Sequence, residues 1–450
     1  MDAKTNAMTQ SWWNSSLAYA ARSDVGMRRS NNQDSFSTHP AGSARIWRSR
    51  GHVFVCADGM GAHKAGELAS KIAATEAPAS YLRRTAQTPG DALRDAMLEA
   101  HATIRKRGDS DPSFHDMGTT CDMLVLMPGS AYIGHVGDSR VYRLRNHAIE
   151  QMTFDHSLVW EIKYFPTSHS AYRQIENIPK NIITRSLGPT DNLAVDIEGP
   201  FDTQPGDVFL MCSDGLSGRV DDSEIGQILE LFQPSEAAEA LVNLANLRGG
   251  PDNCTVVIAR VLSNELPEDA ESAVPDRVYE KRPPLSLFAW CFFALTAIFA
   301  ICGGVFLAMG NTAIGWSSLG ASAVALLAAG CAALPSFVGA RPEIPTERQG
   351  KGPYVRESAV PNAAFNEKLE DTCKRLCAQL RGDTSVEPDW AGVDRACELA
   401  ADARSRGDFA TSIRAVFSVV NYMMREVYKH RELVRKTRSH AATVAVDSQK

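Results

Sequence analysis

A set of aspartates placed at the ends of apolar runs is the part of this chain best able to do chemistry. The run VFVCA (53–57) leads straight into Asp58-Gly59-Met60-Gly61, and DVFLMCS (207–213) into Asp214-Gly215-Leu216. Asp138 lies in the turn after AYIGHV (131–136), Asp252-Asn253 opens TVVIARV (255–261), and Asp34 closes Arg29-Ser30-Asn31-Asn32-Gln33. An Asp at a strand end presents its oxygens at a sheet rim, and a following Gly lets the backbone approach a ligand closely. Hard oxygen donors of this kind suit Mg2+ or Mn2+ rather than zinc, and no HExxH or Cys/His cluster competes with them. A single Asp-Gly is also the commonest tight-turn dipeptide, so the weight lies on the ordered set.

The apolar runs that carry these aspartates have strand character: VFVCA, DMLVLM (122–127), AYIGHV, RVYRL (140–144), DVFLMC and TVVIARV. Helical patterns separate them, notably over 65–85 and 91–107. Strands joined by short turns and interspersed with helices predict antiparallel sheets covered by helices over residues 18–264, after a polar tail at 1–17. That tail has no apolar core of the kind a secretory signal needs.

From Leu285 to Ala340 the chain contains no Asp, Glu, Lys or Arg. The runs 285–309 and 314–334 are each long enough to cross a bilayer, for which about 20 apolar residues suffice. The second is rich in small residues, which suit close packing of one membrane helix on another. Lys281 and Arg282 precede the pair, and Arg341, Arg348 and Lys351 follow it. This pattern predicts a two-span hairpin in the inner membrane, with both soluble parts facing the cytoplasm. Charged, Pro-rich linkers at 265–284 and 335–362 flank it. Beyond them, apolar residues at helical spacing predict a small all-α domain over 363–433, with a tail at 434–450. It is read as a simple packed bundle that binds a protein partner or dimerises. One stretch faintly resembles a tetratricopeptide helix pair, but a single copy cannot form a solenoid.

Composition narrows the function further. The chain has 450 residues, 44% of them hydrophobic, and a net charge of -6, which argues against a nucleic-acid binder. Ten cysteines without a CxxC pair are read as reduced thiols rather than a disulfide framework.

In order along the chain, SDVGMRRSNNQDSF, VCADGMGAHKAGELAS, MGTT (117–120), IGHVGDSRVYRL, MTFDHSLV (152–159), NIITRSLG (181–188), GDVFLMCSDGL and GGPDNCTVVIARV resemble the metal-dependent serine/threonine protein phosphatases of type 2C (the PPM family) in their bacterial form. The resemblance covers about residues 18–262. It implies an αββα sandwich with a metal site at one end between the sheets. It further implies hydrolysis of phosphoserine and phosphothreonine on proteins by water activated at a binuclear Mg2+ or Mn2+ centre. By the same resemblance, Asp58 bridges the two ions, the Gly59 carbonyl ligates one, and Asp214 and Asp252 bind the other. Asp138 with Asp214 would hold a third, looser ion. Asp34 would orient the water, and Arg29 would hold the substrate phosphate, for which a guanidinium fork is suited.

Some positions depart from the family pattern. Gln33 stands where many members have Glu, and Ala62 where bacterial relatives have Gly. Met60 occupies a place where some eukaryotic members have His, a proposed proton donor; a metal-bound water or nearby His63 is the alternative. His156 is read as a hydrogen-bonding residue of the loop before a flap at about 157–181. Cys56 and Cys212 are read as strand-core packing, not as nucleophiles. The competing functional reading is a catalytically weak, membrane-tethered scaffold or sensor that binds phosphoproteins. Keeping Asp58, Asp138, Asp214, Asp252 and Arg29 together argues against it, because clustered carboxylates repel one another.

Overall fold

The computed structural model describes residues 15–61, 65–164, 179, 182–265, 287–337, 350–383, 386 and 388–447. The side chains of 287–290, 293, 329–337 and 432–447 lie outside that description. So do Ala62, His63, most of the flap, and nearly all of the 265–284 linker. Two compact bodies emerge, one holding the sheets and the C-terminal helices, the other the helices of 287–337.

The first body begins with β1 (Leu17–Asp24), β2 (Asp34–His39), α1 (Ala44–Arg50), β3 (His52–Met60), α2 (Ala65–Arg83) and α3 (Pro89–Ser110). It continues through β4 (Gly118–Thr119), β5 (Cys121–Met127), β6 (Ser130–Val136), β7 (Arg140–Arg145), β8 (Ala148–Gln151) and α4 (Leu158–Tyr164). Then come β9 (Asp196–Asp202), β10 (Val208–Cys212), α5 (Asp214–Ser217), α6 (Asp222–Leu231), α7 (Pro234–Leu247) and β11 (Cys254–Val261). The strands form two antiparallel sheets, ordered β1-β11-β10-β7-β8-β12 and β2-β3-β5-β6-β9, with β4 beside β3 and β12 described below. The expected pair of antiparallel sheets with flanking helices is therefore present.

Side-chain alternation explains the layering, since successive strand residues point to opposite faces. In β3, Val53, Val55 and Ala57 join the cluster that includes α2 and α3. Phe54 and Cys56 instead lie in the core between the sheets, with Phe209, Met211 and Val257. In β10 and β11, Leu210, Cys212, Val256 and Ile258 turn outward to α6 and α7. Burying each such large side chain stabilises the fold by about 2 kcal/mol. Cys56 and Cys212 are both fully buried, and burial pushes both thiols upward, which suits packing rather than nucleophilic attack.

The two apolar stretches form α8 (Leu287–Ala308) and α9 (Thr312–Phe337), a helical hairpin that is a body of its own. Small residues let the helices approach: a Cβ at Gly303 would stand 2.9 Å from the Leu319 side chain, and Ser322 Oγ donates to the Thr296 carbonyl at 3.0 Å. Among the described residues no helix is long and apolar enough to cross a membrane. The outer ends of both apolar stretches fall on side chains outside that description.

After the hairpin the chain returns to the first body as β12 (Val355–Ser358), α10 (Ala363–Arg381), α11 (Trp390–Ser405) and α12 (Phe409–Asp447). β12 lies inside the stretch read as a linker. It pairs with β8, the open edge of its sheet, from Val355 opposite Gln151 to Ser358 opposite Ala148. Just before it, the buried Glu198 carboxylate accepts hydrogen bonds from Gly352 N at 3.0 Å and Tyr354 Oη at 2.5 Å. The three C-terminal helices share one core with α6 and α7: Phe365, Leu369, Phe417 and Val420 lie in the same cluster as Ile228 and Leu241.

Candidate active site

The strand alternation that builds the core also delivers the acidic residues. In β3, Phe54 and Cys56 point between the sheets, so Asp58, two residues on, falls on that side where the sandwich opens. Asp34 begins β2 directly opposite Asp58 in the register. The opposing sheet supplies Ser213, whose Oγ donates to Asp34 Oδ2 at 2.7 Å and so bridges the two sheets at this end. Asp214 follows at the first position of α5, and Asp252 precedes β11. The Asp58 backbone is fixed from both sides: its N–H donates to Thr120 Oγ1 at 2.9 Å, and Thr119 Oγ1 donates to its carbonyl. At Gly59 a Cβ would stand 2.1 Å from the Gly66 carbonyl oxygen, so only glycine fits.

Burial pushes the Asp34 carboxyl up to about 7, reinforced by Asp214 and Asp252 and opposed by hydrogen bonds from Thr255 and Ser213. Asp58 is driven well above the ordinary carboxylate range, first by burial and then by Asp34, Asp214, Asp138 and Asp252. Burial followed by Asp214 and Asp155 raises Asp138 to about 7, and burial followed by Asp252 raises Asp214. Like charges crowded in a low dielectric resist ionisation until protons or cations offset them. Asp34 Oδ1 and Asp138 Oδ1 are buried without a hydrogen-bond partner, so acceptor capacity remains unused. This all-oxygen donor set fits a hard divalent cation. The side chains are gathered but not closed: among the described residues no three His, Cys, Asp or Glu already form a cage for an ion.

Arg29 stands at the rim, where Nη2 donates to Asp252 Oδ2 at 2.7 Å. Gln33 Nε2 donates to the Gly61 carbonyl at 3.2 Å, so its amide braces the loop after Asp58. His63, the alternative proton donor, lies outside the described residues. His156 is buried, accepts from Gly137 N at 3.0 Å on Nδ1 and meets Asp196 Oδ2 at 3.0 Å through Nε2. Burial lowers its pKa to about 4, so it is a neutral brace for the turn that carries Asp138. At the root of the flap, Phe154 packs edge-on against Trp160 and Tyr164 of α4, and also against Tyr354.

Other residues were not singled out from sequence although the site depends on them. Asn253 accepts from Gln33 N at 2.8 Å and donates to the Val25 and Asn31 carbonyls, so it ties the Arg29 loop to the Asp252 turn. Ser23, Thr255 and Asn32 extend that lattice: Ser23 Oγ lies 2.7 Å from Thr255 Oγ1 and accepts from Asn32 Nδ2. The available signal was a polar residue at an inward position of an apolar strand, as with Thr255 between Cys254 and Val256.

Known proteins are similar to this chain over the segment that carries the site. The family model described as Protein phosphatase 2C matches residues 27–247. Protein phosphatase PhpP of Streptococcus pneumoniae is 35% identical over 256 residues, covering 55% of this chain and 97% of PhpP. The serine/threonine phosphatase stp of Listeria monocytogenes is 34% identical over 244 residues, 53% of this chain and 93% of stp. Among solved structures, the catalytic domain of the serine/threonine protein phosphatase PstP, in complex with two manganese ions, is 32% identical with a TM-score of 0.46. The match covers 55% of this chain and 99% of that domain. With the bacterial phosphatases matched over nearly their whole length, the chain belongs to the protein phosphatase 2C family and is a protein-serine/threonine phosphatase.

Proposed function

We propose that the chain hydrolyses phosphoserine and phosphothreonine on proteins at a binuclear Mg2+ or Mn2+ centre and works tethered to a membrane. The observation that carries the catalytic part is the convergence of Asp34, Asp58, Asp138, Asp214 and Asp252 at the open end between the sheets, their mutual repulsion offset only in part by Arg29 at the rim and by Arg140. Asp58 and the Gly59 carbonyl at the end of β3 would be ligands, as would Asp214 after β10 and Asp252 before β11. Asp138 with Asp214 would hold a third ion. Bound cations of this type make water acidic enough to attack phosphorus near neutral pH and offset charge on the phosphoryl group. Asp34, fixed by Ser213, orients the attacking water. Arg29 is spent here on Asp252; once that carboxylate serves as a ligand, the guanidinium is free to grip the phosphate dianion through paired hydrogen bonds. In the full chain, phosphate release from a phosphothreonine peptide is expected with Mn2+ or Mg2+ and should vanish in excess chelator. Undiminished release in chelator would contradict the metal reading.

Tethering is supported by the charge-free stretch 285–340 and by its outward side chains. Ile301 is 67% exposed, Trp316 67% and Leu327 72%, an apolar surface that water does not favour. Basic residues on both outer flanks support a cytoplasmic side for the catalytic and C-terminal parts. The full chain should therefore fractionate with membranes and resist extraction by high salt, and cysteines introduced at residues 5 and 445 should escape labelling from outside intact cells. Recovery in the soluble fraction would refute the tether, and outside labelling at either position would refute the two-span hairpin with both ends inside.

A further inference from the structure

The C-terminal helix α12 reaches the loop that carries Arg29 through an unbroken chain of polar side chains. Both hydrogens of the Asn246 amide on α7 are used: Nδ2 donates to Tyr428 Oη of α12 and to Asp24 Oδ1, each at 2.9 Å. Asp24 ends β1, and its Oδ1 also accepts from Gly26 N at 2.8 Å, which closes the turn leading to Arg29. Tyr428 Oη in turn donates to Asn243 Oδ1 at 3.2 Å, and Asn243 Nδ2 donates to Asn421 Oδ1 at 2.9 Å. Asn243 and Asn246 are buried. The turn after α7 completes the clamp, as the Gly250 carbonyl accepts from Met27 N at 2.8 Å and Arg28 N at 3.2 Å. Gly26 adopts φ +80, and a Cβ there would stand 2.2 Å from the Asp252 carbonyl oxygen, so the loop lies directly on the turn that carries a candidate ligand. Helix α12 starts at Phe409, well beyond the 27–247 segment matched by the family model.

We infer that Tyr428 and Asn246 are positioning residues for phosphate recognition: the C-terminal bundle sets the pose of the 24–29 loop, and hence of the Arg29 guanidinium, through the Tyr428–Asn246–Asp24 chain. This rests on the reading of Arg29 as the phosphate grip. The energetics favour such a coupling because the Asn246 amide has no slack. Its Oδ1 is buried without a partner, so losing the Tyr428 hydroxyl strands one buried N–H and gives the amide reason to turn away from Asp24. Burial, followed by Asp24, raises the Tyr428 phenol to about 12, which keeps it a neutral donor across the working range of the enzyme.

The test uses the metal-loaded full chain, with a phosphothreonine peptide as substrate and inorganic phosphate as competitive inhibitor. Tyr428→Phe should raise KM and the phosphate Ki together by about fivefold, the effect of one lost buried hydrogen bond, while kcat stays within about twofold. Asn246→Asp, which sets a carboxylate against Asp24, should raise both by more. Tyr422→Phe removes a hydroxyl of the same helix that accepts from Asp389 N, away from the loop, and should leave Ki unchanged. In an Arg29→Ala background, which itself raises Ki, Tyr428→Phe should add nothing further. If Tyr428→Phe lowers the melting temperature but moves neither KM nor Ki, the residue is only structural and the inference fails while the Arg29 reading stands. If Arg29→Ala leaves Ki unchanged, the phosphate-grip reading falls and takes this inference with it.

Discussion

Replacing Asp214 with Asn is expected to lower turnover of a phosphothreonine peptide by about a thousandfold or more, while the metal-free protein gains stability. The two effects have one cause. Asp214 is buried, is pushed toward its protonated form by burial and then Asp252, and raises Asp34, Asp58 and Asp138 in return. Asn keeps the shape and removes the charge, so repulsion among the remaining carboxylates falls and a cation loses a ligand. One relieved pKa unit is worth about 1.4 kcal/mol, or roughly 3 °C for a domain of this size. Thermal melts with and without Mn2+, run beside a peptide assay, check both. Retained turnover would remove Asp214 from the site. A destabilised metal-free variant would show that the carboxylate is held by partners that favour its charge.

Phe417→Ala is expected to destabilise the whole first body by about 3–4 kcal/mol, the usual result of emptying a buried aromatic site. Phe417 is fully buried, 5.6 Å and edge-on from Phe232 at the end of α6, and 6.4 Å from Phe365 of α10. Its cavity therefore opens between the sandwich's outer helices and the C-terminal bundle rather than inside either. Urea unfolding followed by far-UV circular dichroism and by loss of phosphatase activity should shift together as a single transition. Two separated transitions, with activity surviving the first, would mean that α10–α12 fold as an independent domain.

The strands were legible because both of their faces are buried, so each reads as a short continuous apolar run: Val53 to Ala57 point alternately to helices and to the inter-sheet core, and all five are apolar. Asp58 and Asp214 were legible for a related reason, since each ends an apolar run at the point where it reaches the rim. β12 was not. Its residues, VRES, carry no apolar pattern, and the strand forms because β8 offers an unpaired edge and Glu198 anchors Gly352 and Tyr354 just upstream. The helical periodicity of 363–433 revealed helices but not what they pack on. That Leu369 and Phe417 complete the same core as Ile228 depends on contacts far apart along the chain. Asn253 and Thr255 escaped notice because a lone polar residue at the start of a strand carries no local mark of which loop it will hold.

Isothermal titration of Mn2+ into the metal-free full chain, with Asp214→Asn as the comparison, bears most directly on the carboxylate cluster. Uptake of at least two ions per chain, with proton release that scales with the buffer's ionisation enthalpy, is the expected result, because raised carboxyls must deprotonate to serve as ligands. The variant should lose at least one ion. No heat of binding at millimolar Mn2+, or identical isotherms for the two proteins, would contradict a metal centre built on these aspartates.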